Sequence, residues 1–195
     1  MDNQGLNFKQ SRIIQTYLLL VLVGFLMSCL PKGSLPLFLI NQLIAIVSLL
    51  MFLLFWKKHK LSSKRYFSLL SFVMLLSLSI YAAIPFLRIY FGTMIFWMGL
   101  FILVAMTLLP HFIREKIILG IEFPGKTKLG IVLFMIFGII ISFGTIVYRM
   151  TLIKEVPDAL PLAIFGYLIA LMFLIICPIL LIRPERVDEL KKSKR

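Results

Sequence analysis

The chain has 195 residues, 61% of them hydrophobic, and a mean hydropathy of +1.04, well beyond the apolar share of soluble domains. Its formal charge of +13 raises nucleic acid as a partner, but the basic residues sit at separate loop ends and form no continuous face with interleaved aromatics, which excludes that class. Two cysteines, two histidines and eight acids leave little material for a metal centre or a catalytic cluster, and neither a metal nor a cofactor is expected.

About 20 mainly apolar residues are needed to cross about 30 Å of hydrocarbon, and six stretches meet that need. The first covers residues 13–30 and ends in "VLVGFLMSCLPKG", where Leu-Met-Ser-Cys resembles a lipoprotein cleavage site before Cys29. Five further spans already anchor the chain, so lipidation adds nothing required for attachment. Cleavage would also discard Gly24 and Ser28 as a packing surface, so the stretch reads as the outer end of a retained helix. After the turn "PKGSLP" the second span covers 37–56, and the basic loop "KKHKLSSKR" follows. The third covers 66–84, with Pro85 as its boundary, and the fourth covers 92–110, closing at Pro110. Beyond it, "HFIREKIILGIEFPGKTK" places Ile113, Ile117 and Ile121 four apart, which suits a short interfacial helix able to dock a partner through residues 111–128. The fifth span covers 129–148 and the sixth 162–182, ahead of the tail "RPERVDELKKSKR". The expected fold is an all-α integral membrane protein, a single polytopic domain over 1–195 built as a bundle of six transmembrane helices.

Orientation follows from the Lys and Arg of the short loops. Placing the first residues inside puts 17 of the 21 basic residues on the cytoplasmic side, leaving Lys32, Arg88, Arg149 and Lys154 outside. Both termini are therefore expected in the cytoplasm, and the expected location is the plasma membrane of a bacterial cell. Tyr17, Trp56 and Tyr66 fall at inner span ends and Tyr81, Tyr90 and Tyr148 at outer ends, the level that amphipathic rings prefer. Small residues four apart, at Gly24/Ser28, Ser79/Ala83, Gly138/Ser142 and Gly166/Ala170, supply close-packing surfaces. The fifth helix has the most of them, with Gly130 and Gly144 in addition, which places it in the bundle centre together with the sixth.

No Asp, Glu, Lys, Arg or His lies deep in any expected span. Intramembrane charges mark ion paths and relays, so proton-coupled pumping by buried carboxylates is disfavoured. The breaks at Pro85, Pro110 and Pro178 lie near helix ends and do not match between halves, so no inverted repeat is apparent. The remaining polar candidates gather toward the outer side. Asn41 and Gln42 lie one turn inside the second span, Arg88 in the outer turn "PFLRIYFG", and Arg149 at the end of the fifth helix beside "KEVPDALP". Together they form a candidate outer vestibule for an anionic or amide-bearing ligand. The bland alternative has the amides bonding neighbouring helices and the arginines reaching headgroups.

In length and helix number the chain is similar to the substrate-binding subunits of energy-coupling-factor vitamin transporters. The alanine-rich docking face of their first helix has no counterpart in "LLLVLVGFLMSCL", so no residue role is carried over. The leading expectation is a small transport-related subunit, substrate-binding or permease, within a membrane complex. The alternative is a non-transport interaction protein such as an assembly factor, sensor accessory or immunity protein, and a lipid-modifying enzyme comes third.

Overall fold

The computed structural model describes residues 7–153 and 159–192, and within them every regular element is a helix. A 3-10 turn at Phe8–Ser11 leads into α1 (Ile13–Ser28), followed by α2 (Leu35–His59), α3 (Ser63–Ile89), α4 (Met94–Glu122), α5 (Lys128–Ile153), α6 (Ala159–Ile176) and α7 (Pro184–Lys192). Two further 3-10 turns, Pro124–Lys126 and Cys177–Leu181, join α4 to α5 and prolong α6. Helices α2 to α6 are each long and apolar enough to cross a membrane, whereas α1 has 16 residues, about 24 Å of rise. The molecule is an all-α, membrane-embedded bundle.

Neighbouring pairs set the directions of the helices. Asn41 meets Gly24, Tyr81 meets Asn41, and Ser77 meets Ser48, so α1, α2 and α3 alternate in sense. Gly166 lies against Ala82 and Cys177 against Phe72, which makes α6 antiparallel to α3. Tyr167 of α6 reaches Gly99 of α4 near one end, and Pro178 shares a crevice with His111 near the other, so α4 and α6 run parallel.

The central element is α3, not α5. One side of α3 joins α1 and α2 in a core that includes Ile13, Leu20, Phe52, Tyr66, Val73 and Tyr81. The other side packs on α6 through Ala82, Ala83, Tyr167 and Ala170, the most extensive helix pair in the molecule. The small pairs Ser79/Ala83 and Gly166/Ala170 thus face each other, and a Cβ on Gly166 would sit 3.0 Å from the Ala82 carbonyl oxygen. α5 instead lies at the periphery against α4 and α6, and nothing stands within 4 Å of where a Gly138 Cβ would be. Counting small residues overestimated α5 because a small residue marks an interface only when a neighbour occupies its face.

Two expected helix ends are also corrected. α3 continues through Pro85 to Ile89, and α4 runs through Pro110 to Glu122. Proline removes one backbone bond and crowds the carbonyl four residues back. In a membrane helix, neighbouring elements and local adjustment can re-satisfy the freed group, and the apolar sequence on both sides carries the helix onward. Residues 111–122 are therefore the last three turns of α4 rather than a separate interfacial helix. The tail after the sixth expected span contains α7, with Pro184 at its first position, where a missing N–H costs nothing.

Large apolar side chains cover the outside, among them Phe101 at 75% exposure and Ile139 at 69%. Such a continuous apolar exterior would be an aggregation surface in water and is the ordinary lipid-facing surface in a bilayer.

Candidate functional site

Two regions concentrate polar chemistry, one at each end of the bundle. At the end holding the α1–α2 turn, Asn41 is fully buried and its Nδ2 donates to the Gly24 carbonyl at 2.9 Å. That carbonyl can only accept, which fixes the amide orientation and turns Oδ1 the other way. Oδ1 is buried and finds no donor among the described residues. Tyr81 donates its hydroxyl to the Asn41 carbonyl at 2.8 Å, so α1, α2 and α3 are bonded in series at one level. Gly24 permits this: a Cβ there would lie 3.3 Å from both Asn41 Cβ and the Tyr81 ring.

Gln42 Nε2 donates to the Val21 carbonyl at 3.3 Å, one turn along α1. Arg88, in the last turn of α3, donates to the Leu30 carbonyl at 3.3 Å and also to that of Lys32, holding the α1–α2 turn down on α3. Beside it lies an apolar recess of about 230 Å³ lined by Leu37, Ile84, Leu87, Phe91 and Phe96. Asn41, Gln42 and Arg88 are thus gathered around the α1–α2 hairpin. Arg149 is exposed near the end of α5, which packs against α4 and α6. Lys154, Glu155 and Asp158 lie outside the described residues.

The opposite, basic end was read from sequence only as topology charge, and it holds a second arrangement. Arg65 at the start of α3 donates from Nη1 to the carbonyls of Leu181 and Ile182, at 3.0 and 3.1 Å, closing the chain after α6 onto α3. Ser68 donates to the Leu180 carbonyl one turn higher. Arg186 of α7 donates from Nε to Glu115 of α4 at 3.1 Å and from Nη1 to Glu189 at 3.1 Å. The Glu115 bond, then the Glu189 bond, holds the Arg186 guanidinium above its already high ordinary value. Arg65, Arg114, Arg183, Arg186 and Glu115 surround a recess of about 260 Å³.

Between the same elements, further from the basic end than that recess, lies an apolar crevice of about 450 Å³. Phe72 and Leu76 of α3, Leu108 and Phe112 of α4, and Leu174 of α6 line it, with His111 at its rim. His111 Nδ1 lies 2.9 Å from the Thr107 carbonyl and must be the protonated donor, leaving Nε2 uncommitted by that bond. The spacing of Leu108, Phe112 and Glu115 was the sequence signal that could have found this region, since it sets apolar and charged residues on one helical stripe.

Among the described residues, no group of three or more His, Cys, Asp or Glu could hold a metal ion. Compared with known protein families, with curated proteins and with solved structures, the chain matches none.

Proposed function

We propose that the protein is a small non-catalytic subunit of a membrane complex, acting by contact with partners as an assembly or accessory factor would. In this reading it crosses the plasma membrane of a bacterial cell six times with both termini inside, as the distribution of Lys and Arg favours. The 16-residue α1 makes the sixth crossing, its shortness met by local thinning of the bilayer.

The observation that carries the reading is the reach of α4. Its 29 residues rise about 43 Å, more than the hydrocarbon core requires. The three turns beyond Pro110 present exposed Phe112, Ile113, Arg114 and Lys116, with α7 clasped alongside through Arg186 and Glu115. This is a helical platform at the membrane surface, of the kind a soluble or membrane partner can grip. Photocrosslinking amino acids at positions 112 and 116 test it. A discrete protein adduct from both, absent from a probe at lipid-facing position 139, is the expected result; lipid adducts alone from all three would sink it.

A transport-related subunit is the second reading, favoured by one specific observation. Asn41 Oδ1 is a buried acceptor without a donor, the kind of group that a ligand amide or hydroxyl satisfies. Against it, Asn41 Nδ2, Gln42 and Arg88 already donate to backbone carbonyls, which leaves Arg149 as the uncommitted member of the candidate vestibule among the described residues. Copurification with an ATPase pair, together with protection against heat by a small ligand, would move the conclusion to transport.

A further inference from the structure

The basic recess and the apolar crevice are continuous along three elements. On α4, Leu108 and Phe112 of the crevice are followed by Glu115 of the recess at i, i+4 and i+7. Thr107, His111 and Arg114 repeat that spacing on the adjacent stripe. On α3, Arg65 of the recess precedes Phe72 by seven residues and Leu76 by eleven, again one face. At the end of α6 and in the turn beyond it, Leu174 and Pro178 of the crevice lead to Leu181 of the recess. Seven residues of helix rise about 10 Å, so the charged part sits about 10 Å toward the basic end from the apolar part. α4 touches α3 near Gly99, where a Cβ would stand 3.1 Å from Phe86. It packs more extensively on α5, α6 and the turn beyond α6, while Leu108 and Phe112 leave the slot open at the surface.

We infer that this slot is a binding site for an anionic phospholipid, one acyl chain lying in the Phe72–Leu108–Leu174 crevice and the phosphate resting among Arg65, Arg114, Arg183 and Arg186. Charge selects the headgroup. Four guanidiniums line the recess with one carboxylate, Glu115. Arg186 is bonded both to it and to Glu189, so the charge free to meet a headgroup is that of Arg65, Arg114 and Arg183. Arg65 donates two bonds to carbonyls and keeps its full charge. The Arg114 and Arg183 side chains are exposed and their guanidiniums make no hydrogen bond or ion pair among the described residues, so their planar donor sets are available to phosphate oxygens. Apolar residues select the tail: Leu108 and Phe112 are exposed toward the bilayer, where an acyl chain is the surrounding solvent. Depth couples the two, because a basic recess at the bundle end lies at headgroup level while the crevice lies within the hydrocarbon. The site needs no partner protein, but it borders the proposed platform at Phe112 and Arg114, so a lipid and a partner would meet there.

The test uses the full chain, purified in a non-ionic detergent and titrated with phosphatidylglycerol or phosphatidylcholine under native mass spectrometry. Phosphatidylglycerol is expected to be retained about tenfold more strongly than phosphatidylcholine. Replacing Arg114→Gln and Arg183→Gln together should abolish that preference without changing helicity by circular dichroism, and Lys116→Gln should leave it intact. Leu108→Trp, which fills the crevice, should weaken both lipids. Equal binding of the two lipids by the unaltered protein would overturn the assignment, as would an undiminished preference in the double variant. Displacement of phosphatidylglycerol by 10-fold excess inorganic phosphate would overturn it in favour of a simple anion site. A tightly copurifying polypeptide that blocks lipid binding would overturn it in favour of a protein occupant.

Discussion

Gly120 and Gly130 meet backbone to backbone where α4 turns into α5: a Cβ built on Gly130 would stand 2.5 Å from the Gly120 carbonyl oxygen and 2.6 Å from Thr127 Oγ1. Thr127 in turn accepts the Gly130 N–H at 3.1 Å, so the first turn of α5 is capped at the same point. Neither neighbour can recede cheaply, because one is helix backbone and the other a cap. Gly130→Ala is therefore expected to cost about 1–3 kcal/mol, the usual range for overpacking, read as a fall of several degrees in melting temperature in detergent. Gly138→Ala, with open space around it, should be neutral or should gain up to about 1 kcal/mol from helix propensity. Equal effects at the two glycines would show that the α4–α5 crossing is looser than described.

The serial bonds from α1 to α3 give a second prediction. Tyr81→Phe removes the donor to the Asn41 carbonyl and should cost about 0.6 kcal/mol, the average for hydrogen bonds between membrane helices, and no more than about 1.7 kcal/mol. Asn41→Leu has a similar shape, loses the bond to Gly24 and also removes the acceptor that has no donor. It should be no more damaging than Tyr81→Phe in a thermal melt. A clearly larger loss would mean that Oδ1 has a partner in the membrane, which would favour the ligand-binding reading of Asn41.

The two cysteines report orientation. Cys29 is exposed at the end of α1, while Cys177 is buried and donates its thiol to the Phe72 carbonyl at 3.4 Å. With both termini inside, a membrane-impermeant maleimide added to intact cells should label Cys29 and leave Cys177 untouched until the protein is denatured. Labelling of Cys29 only after the cells are opened would invert the topology. A lipidated Cys29 would block the reaction altogether and would show in the intact mass.

Glu115→Gln removes the bidentate partner of Arg186 and with it the charged clasp between α4 and α7. Both side chains are about half exposed, so global melting should hardly move. Local opening is the sensitive readout: amide exchange in residues 184–192 should accelerate several-fold while α3 stays protected. Raising the salt concentration should produce a similar acceleration in the unaltered protein by screening the pair.

How far the sequence could carry these conclusions differs from helix to helix. The second and fifth expected spans fall within α2 and α5, and the sixth ends one residue beyond the stretch from α6 through Leu181, because composition over 20 residues is a signal that tertiary context does not alter. Pro85 and Pro110 misled, since a proline ends a helix only when the freed groups have somewhere better to go. The central position of α3 was hidden for a different reason. Its buried face carries Tyr66, Ser77, Tyr81 and Pro85 beside small residues, a mixture that no count of glycines detects. Asn41 and Gln42 were legible as polar residues within a span, but whether they bond to α1 or await a ligand depends on which way α2 turns, and periodicity in an evenly apolar helix leaves that open. The arginines at the basic end were legible as topology determinants; their convergence on one slot required the pairing of α3 with the chain beyond α6.

That pairing also sets an order of events in the making of the protein. Ala82 and Ala83 reach the membrane roughly 80 residues before Gly166 and Ala170 are synthesised, an interval on the order of ten seconds at about 5–20 residues per second. Throughout it, α3 has no α6 to cover its Ala82–Ala83 side. The newborn chain is thus a half-built wall whose bare alanine edge is free to any helix of the insertion machinery, or to a second nascent chain, until α6 arrives to cover it.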